Sequence, residues 1–228
     1  MQTPNPDSHY LKFVKFASYT ARRLQRAGHD ALAKDVLRSR DAVRTAGRAW
    51  EDSDDAVQTA YADRDAADDG LDVLAQTART TLAGRAIDAP TTEPYTLVFP
   101  SGIDYYTIAP VDEEVSRYEE LVARLKKHLP ASDAVRKSTV APLEKGIAAY
   151  GESSKSLRRA LEAQALAGTE LERAIKHFVR QVEKVYGAMI TAEGKSAAER
   201  YFPKTRTAKG PRNAKGGPAP APEPDPER

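Results

Sequence analysis

The side chains able to do chemistry are thinly spread along this chain. It has four histidines and no cysteine, which excludes a disulfide framework, a thiolate nucleophile and a thiolate metal site. A di-iron carboxylate centre in a helical bundle needs Glu-x-x-His on facing helices. None of His9, His29, His128 and His177 has a glutamate three residues before it. Asp65, Asp68, Asp69 and Asp72 fall on neighbouring faces of one helical stretch and have the oxygen chemistry a hard cation takes. A ladder of this kind is ordinarily a solvated helix face, and no metal site is expected. Gly-x-Ser-x-Gly, Walker A and Gly-x-Gly-x-x-Gly patterns are all absent from the sequence, so no activated serine and no phosphate-cradling loop is indicated. The expectation is a chain with no catalytic residues, no cofactor and no small-molecule substrate.

Two other sets of residues point to binding. Arg200, Lys204, Arg206, Lys209, Arg212 and Lys215 follow one another with no acid before Gly217. Such an arm contacts phosphates without reading sequence, so Lys204, Arg206, Lys209, Arg212 and Lys215 are candidates for nucleic-acid contact. The acidic end, Glu223 to Glu227, works against strong affinity for nucleic acid. The second set is Tyr95, Phe99, Tyr105 and Tyr106, in a stretch also holding Pro90, Pro94, Pro100 and Pro110. These aromatics either plug the open end of a helical rod or dock a partner protein, because loops held on a helical scaffold often carry function.

The elements that must position these residues are helical. From Val140, steps of three and four give Leu143, Ile147, Tyr150, Ser154, Leu157, Leu161, Gln164, Gly168, Leu171, Ile175, Phe178, Val182, Val185 and Met189. This is an a/d heptad seam, with Ser132 as its N-cap and Asp133 in the first turn. A second seam, Val36, Val43, Trp50, Val57, Arg64, Leu71 and Ala78, recurs every seven residues. Each stretch reads as one long helix, about 30–86 and 133–200, with a break near Asp52–Asp55 or at Gly168-Thr169 as the alternative. Trp50 reads as a core residue. Gln164 and Gly168 are the positions where the seam sets register or admits close approach. Shorter helices are predicted over 10–27, capped by Ser8 and ended by Gly28, and over 112–128, with Glu113–Arg117 and Glu120–Arg124 as i,i+4 pairs. Between Ile87 and Val111, short runs rich in aromatic and β-branched residues flank Pro100-Ser-Gly, which reads as a small β-hairpin or an ordered extended loop.

Two long helices joined through 87–131 lie antiparallel, and facing residues then have numbers summing to about 219. This register sets the acids of 51–72 near Lys145, Lys155, Arg158 and Arg159, so that run reads as a partly paired face. The fold class is therefore all-α: an elongated antiparallel coiled coil or helical bundle with a Pro/aromatic cap. One helical domain over 1–202, with the cap at 87–111, precedes a disordered basic, Pro-rich tail over 203–228. Its last part, Pro218 to Pro226, favours polyproline II.

Composition narrows the function. A net charge of +2 is too small to make the whole protein a polyanion binder, and no apolar run approaches the ~20 residues of a membrane span. Alanine and arginine usage fits a bacterium with a GC-rich genome, and a cytoplasmic location is expected. The reading is a non-enzymatic structural or protein–protein interaction protein that binds a partner or itself. The alternative is a nucleic-acid-associated protein acting through its tail.

Overall fold

Helix α1 (Leu11–Arg26) buries Phe13, Val14, Phe16, Ala17, Thr20, Ala21 and Leu24 in the computed structural model, which describes residues 1–204. Its start is not capped by Ser8. Tyr10 is the N-cap residue with no side-chain capping bond, and the first-turn amide of Leu11 instead donates to His9 Nδ1 at 3.3 Å. Its end behaves as the glycine implies. Gly28 takes φ +82°, the His29 amide donates to the Leu24 carbonyl, and that of Gly28 to Gln25. These are the two bonds of a Schellman cap.

Helix α2 (Asp30–Ala83) runs 54 residues without a break at Asp52–Asp55. The chain then makes a 3₁₀ turn (Ala89–Thr91) and two one-turn helices, α3 (Tyr95–Val98) and α4 (Asp104–Thr107). Helix α5 (Glu114–His128) precedes α6 (Ala134–Glu193), 60 residues long. A four-residue helix, α7 (Lys195–Ala198), and a 3₁₀ turn (Glu199–Tyr201) follow. Among the described residues there is no strand, so the β-hairpin reading of 95–109 is wrong. The spacing of Tyr95, Val98 and Phe99 is that of one helical turn. Burial of Val98, Phe99 and Tyr106 outweighs the strand preference of aromatic and β-branched residues.

Helix α6 passes through Gly168-Thr169 intact. Thr169 does not cap a new helix, because its hydroxyl donates back to the Ala165 carbonyl at 3.0 Å. The helix also runs through Pro142, which lacks the N–H that would bond the Ser138 carbonyl. It stops at Glu193 rather than near 200, since Gly194 turns to φ +83°. At the other end the cap is Asp133 and not Ser132. Asp133 Oδ1 accepts from the amides of Val135 (2.8 Å) and Arg136 (3.4 Å). Both oxygens of the same carboxylate accept from Arg85 Nη2, at 2.6 and 2.8 Å.

The described residues group into two compact units, 41–177 and 1–40 with 178–204. In the first, Leu71, Ala75, Ala78 and Leu82 of α2 pack with Tyr118, Leu121 and Leu125 of α5 and with Val135, Leu143 and Tyr150 of α6. Each large side chain buried this fully contributes roughly 1.5–3 kcal/mol. The α2–α6 pairing keeps the expected register. Trp50 lies over Gly168, and Gln164 bonds Asp54. Both pairs have numbers summing to 218. Gly146 faces Leu71 so closely that a Cβ there would sit 2.8 Å from Leu71 Cδ2. The cross-helix pairing expected of Lys155 is not made, because Lys155 binds Glu152 of its own helix at 2.7 Å.

In the second unit the core is aromatic. The Phe178 ring meets Phe13 and Phe16 edge-on at 5.9 and 6.3 Å, and Phe202 meets Tyr186 at 5.4 Å. His29 Nε2 lies 2.6 Å from Glu193, whose carboxylate also accepts from the Tyr201 hydroxyl at 2.9 Å.

Candidate functional site

The carboxylate ladder on α2 divides by helical angle. Asp65 and Asp69 are exposed, and Asp65 binds Arg64 at 2.7 Å. Asp68 and Asp72 turn toward α5 and α6. Four residues apart, Glu114 and Tyr118 of α5 come down on them, and Tyr150 of α6 closes the group. Glu114 is 4% exposed, Tyr118 0% and Tyr150 2%. The Tyr118 hydroxyl donates to Asp72 Oδ1. The Glu114 carboxyl faces Asp68 and Tyr150, and its Oε1 has no hydrogen-bond partner.

Burial penalises charge here. It pushes the Glu114 carboxyl up to about 7, helped by Asp68 and opposed by the Tyr150 hydroxyl. Burial also raises Asp72, against the bond from Tyr118. Tyr118 and Tyr150 lose water and face carboxylates, so both hydroxyls stay protonated far above the ordinary tyrosine range. Below neutral pH, Glu114 holds a proton. The cluster holds that proton between three helices. Among the described residues no group of three or more histidines or acids is placed to hold a metal ion.

Sequence reasoning missed Glu114, which stands next to Glu113 and Asp112 and reads as helix-start charge. The only usable signal was the register, which sets Asp68 opposite Tyr150.

The four aromatics of the connector do different work. Phe99 (3% exposed) and Tyr106 (1%) belong to the core, where they anchor the connector. The Tyr106 hydroxyl donates to the Val98 carbonyl at 3.2 Å, and burial lifts it to about 12. Tyr95 and Tyr105 are half-buried, with their hydroxyls engaged. Arg79 Nε donates to Tyr95 at 3.1 Å, and Tyr105 donates to Glu120 at 2.9 Å.

The expected pairs of α5 also fasten this segment. Arg117, bound to Glu113 at 2.6 Å, donates to the Tyr105 carbonyl and lies 4.5 Å from the centre of its ring. Arg124, bound to Glu120, donates to the Leu97 carbonyl at 3.3 Å. The connector leaves its aliphatic residues outside. Ile87, Ile108 and Val111 are 105%, 73% and 60% exposed.

Of the basic candidates, Lys204 is exposed at the last described position. Arg206, Lys209, Arg212 and Lys215 lie outside the described residues. Among the described residues no helix is long and apolar enough to cross a membrane. No protein-family model matches this chain, and neither a curated protein nor a solved structure is similar to it.

Proposed function

We propose that the protein is a non-enzymatic helical scaffold that binds another protein chain, a second copy included, through the connector between α2 and α5. The observation that carries this reading is the division of the connector's side chains. Val98, Phe99 and Tyr106 are buried and three arginines hold the segment, yet Ile87, Ile108 and Val111 face solvent. A single exposed aliphatic residue needs no explanation. Three on one anchored connector leave it exposed aliphatic side chains that a partner would cover, and anchored loops often carry binding.

The absence of enzymatic activity rests on a separate point. A catalytic acid or base must come within hydrogen-bond reach of the reacting atoms. Glu114, Tyr118 and Tyr150, the groups whose protonation is most displaced, are enclosed between helices. A cytoplasmic location accompanies this reading.

The test compares the full chain with the triple variant Ile87→Glu, Ile108→Glu and Val111→Glu, whose exposed positions should leave helicity unchanged. Proteins captured from native cell extract, and the sedimentation coefficient as a function of concentration, are measured for both. Loss of a captured chain or of self-association in the variant supports the proposal. Equal capture and equal sedimentation overturn it.

A further inference from the structure

One groove in the unit built on α1 has a matching ligand within the same chain. Its walls come from the N-terminal segment (Pro4, Asn5), from α1 (Lys12, Lys15, Phe16, Tyr19) and from Pro203, and it encloses about 520 Å³. Tyr19 is 47% exposed on this groove, while Phe16 beneath it is 6% exposed and locked against Phe178 and Phe202. Aromatic-lined grooves of this kind take proline-rich segments, whose extended conformation is preset and costs little entropy to order. Lys12 and Lys15 add positive charge to one wall.

The chain beyond the groove has the complementary composition. Prolines stand at 218, 220, 222, 224 and 226, alternating at the far end with Glu223, Asp225 and Glu227. Pro203 is itself part of the groove wall, so the segment is tethered at the site it would occupy. Residues 205–217, rich in glycine, lysine and arginine, have a root-mean-square reach of about 20 Å for a chain of that length. That reach gives a tethered ligand an effective concentration near the millimolar range, at which a weak proline-groove contact is still occupied.

We infer that this groove is a docking site for a proline-rich acidic segment, and that its occupant is this chain's own Pro218–Glu227. The prolines lie against Tyr19, and the carboxylates of Glu223 and Asp225 face Lys12 and Lys15. Docking covers the exposed Tyr19 and draws the basic stretch 204–215 along the same unit.

The cysteine-free chain permits a direct test on the full-length protein. The variant Ala221→Cys carries a nitroxide, and amide signals are compared with the label oxidised and reduced. The expected result is selective broadening at Lys12–Tyr19, with the signals of α5 unaffected. It should be abolished by Tyr19→Ala, and by Lys12→Glu with Lys15→Glu. Uniform or absent broadening, or broadening unaffected by these substitutions, overturns the inference. A mixture of isotope-labelled unmodified chain with spin-labelled unlabelled chain separates the occupants. Broadening at Lys12–Tyr19 in that mixture assigns the groove to a second copy and overturns the assignment to the chain's own segment.

Discussion

The side-chain amide of Gln164 donates a 2.6 Å hydrogen bond to Asp54 on the facing helix. It lies where the α2–α6 seam is least apolar, since no α6 residue between Leu157 and Ile175 is buried. A half-buried polar pair in a seam fixes register at some cost in stability. Gln164→Ala should lower unfolding stability by about 1 kcal/mol. Combined with Asp54→Ala, the loss should be clearly less than the sum of the two single changes, because both remove the same bond. Denaturant titration of the four proteins measures this coupling. Additive losses would mean that the bond contributes nothing to the pairing.

The two seam-side glycines of α6 should respond oppositely to the same substitution. Gly146→Ala puts a methyl 2.8 Å from Cδ2 of the fully buried Leu71, and overpacking of this kind costs about 1–3 kcal/mol. Gly168→Ala meets only Trp50, at an ordinary 3.7 Å. Removing a glycine from the helix interior should then raise stability by up to about 1 kcal/mol. Thermal melts of the two variants show whether the shifts have opposite signs.

Much of this pairing was legible in the sequence, and the reason is geometric. A heptad seam read on each of two helices fixes which faces meet, so Trp50 opposite Gly168 and Asp68 opposite Tyr150 follow from numbering alone. Seam position Leu161 departs from the pattern and is 39% exposed, since the period reports a face but not how tightly the partner covers it. Contacts made by α5 were not legible, because no repeat relates its register to that of α2 or α6. The charged Glu114 therefore looked like helix-start charge. In the connector, residue preferences pointed to strands while burial made single helical turns. At the start of α6, Ser132 and Asp133 have similar capping propensity. The ion pair with Arg85, invisible in a linear reading, selects Asp133.

That cap gives a paired comparison. Asp133→Ala removes the ion pair with Arg85 and the acceptor for two amides, at an expected cost of about 1–2 kcal/mol. Ser132→Ala should change stability by less than about 0.5 kcal/mol. Burial alone would raise the Asp133 carboxyl. The Arg85 guanidinium and the amides of Val135 and Arg136 prevail and hold it below the usual range. Its contribution is therefore present at neutral pH and is lost as the solution is acidified below the ordinary carboxylate range. A variant series of melts at neutral and acidic pH reads both effects.

Glu114 acts in the other direction. Its folded carboxyl titrates at about 7, above an ordinary 4.5, so between those values the folded chain holds a proton that the unfolded chain has released. Stability then falls as pH rises through that window. Glu114→Gln mimics the protonated form and removes the dependence. Relative to the parent, the variant should gain on the order of 2 kcal/mol between pH 5 and pH 8. A parent-to-variant difference that stays constant over this range would show that Glu114 ionises normally.

The connector surface is the claim on which the functional account turns, and hydrogen exchange addresses it directly. The full chain is exchanged alone and when saturated with the protein it captures, or dilute and concentrated if it captures only itself. The account requires slowed exchange within residues 84–113, around Ile87, Ile108 and Val111. Protection confined to α1, or to the exposed face of α2 and α6, with 84–113 unchanged, would contradict it.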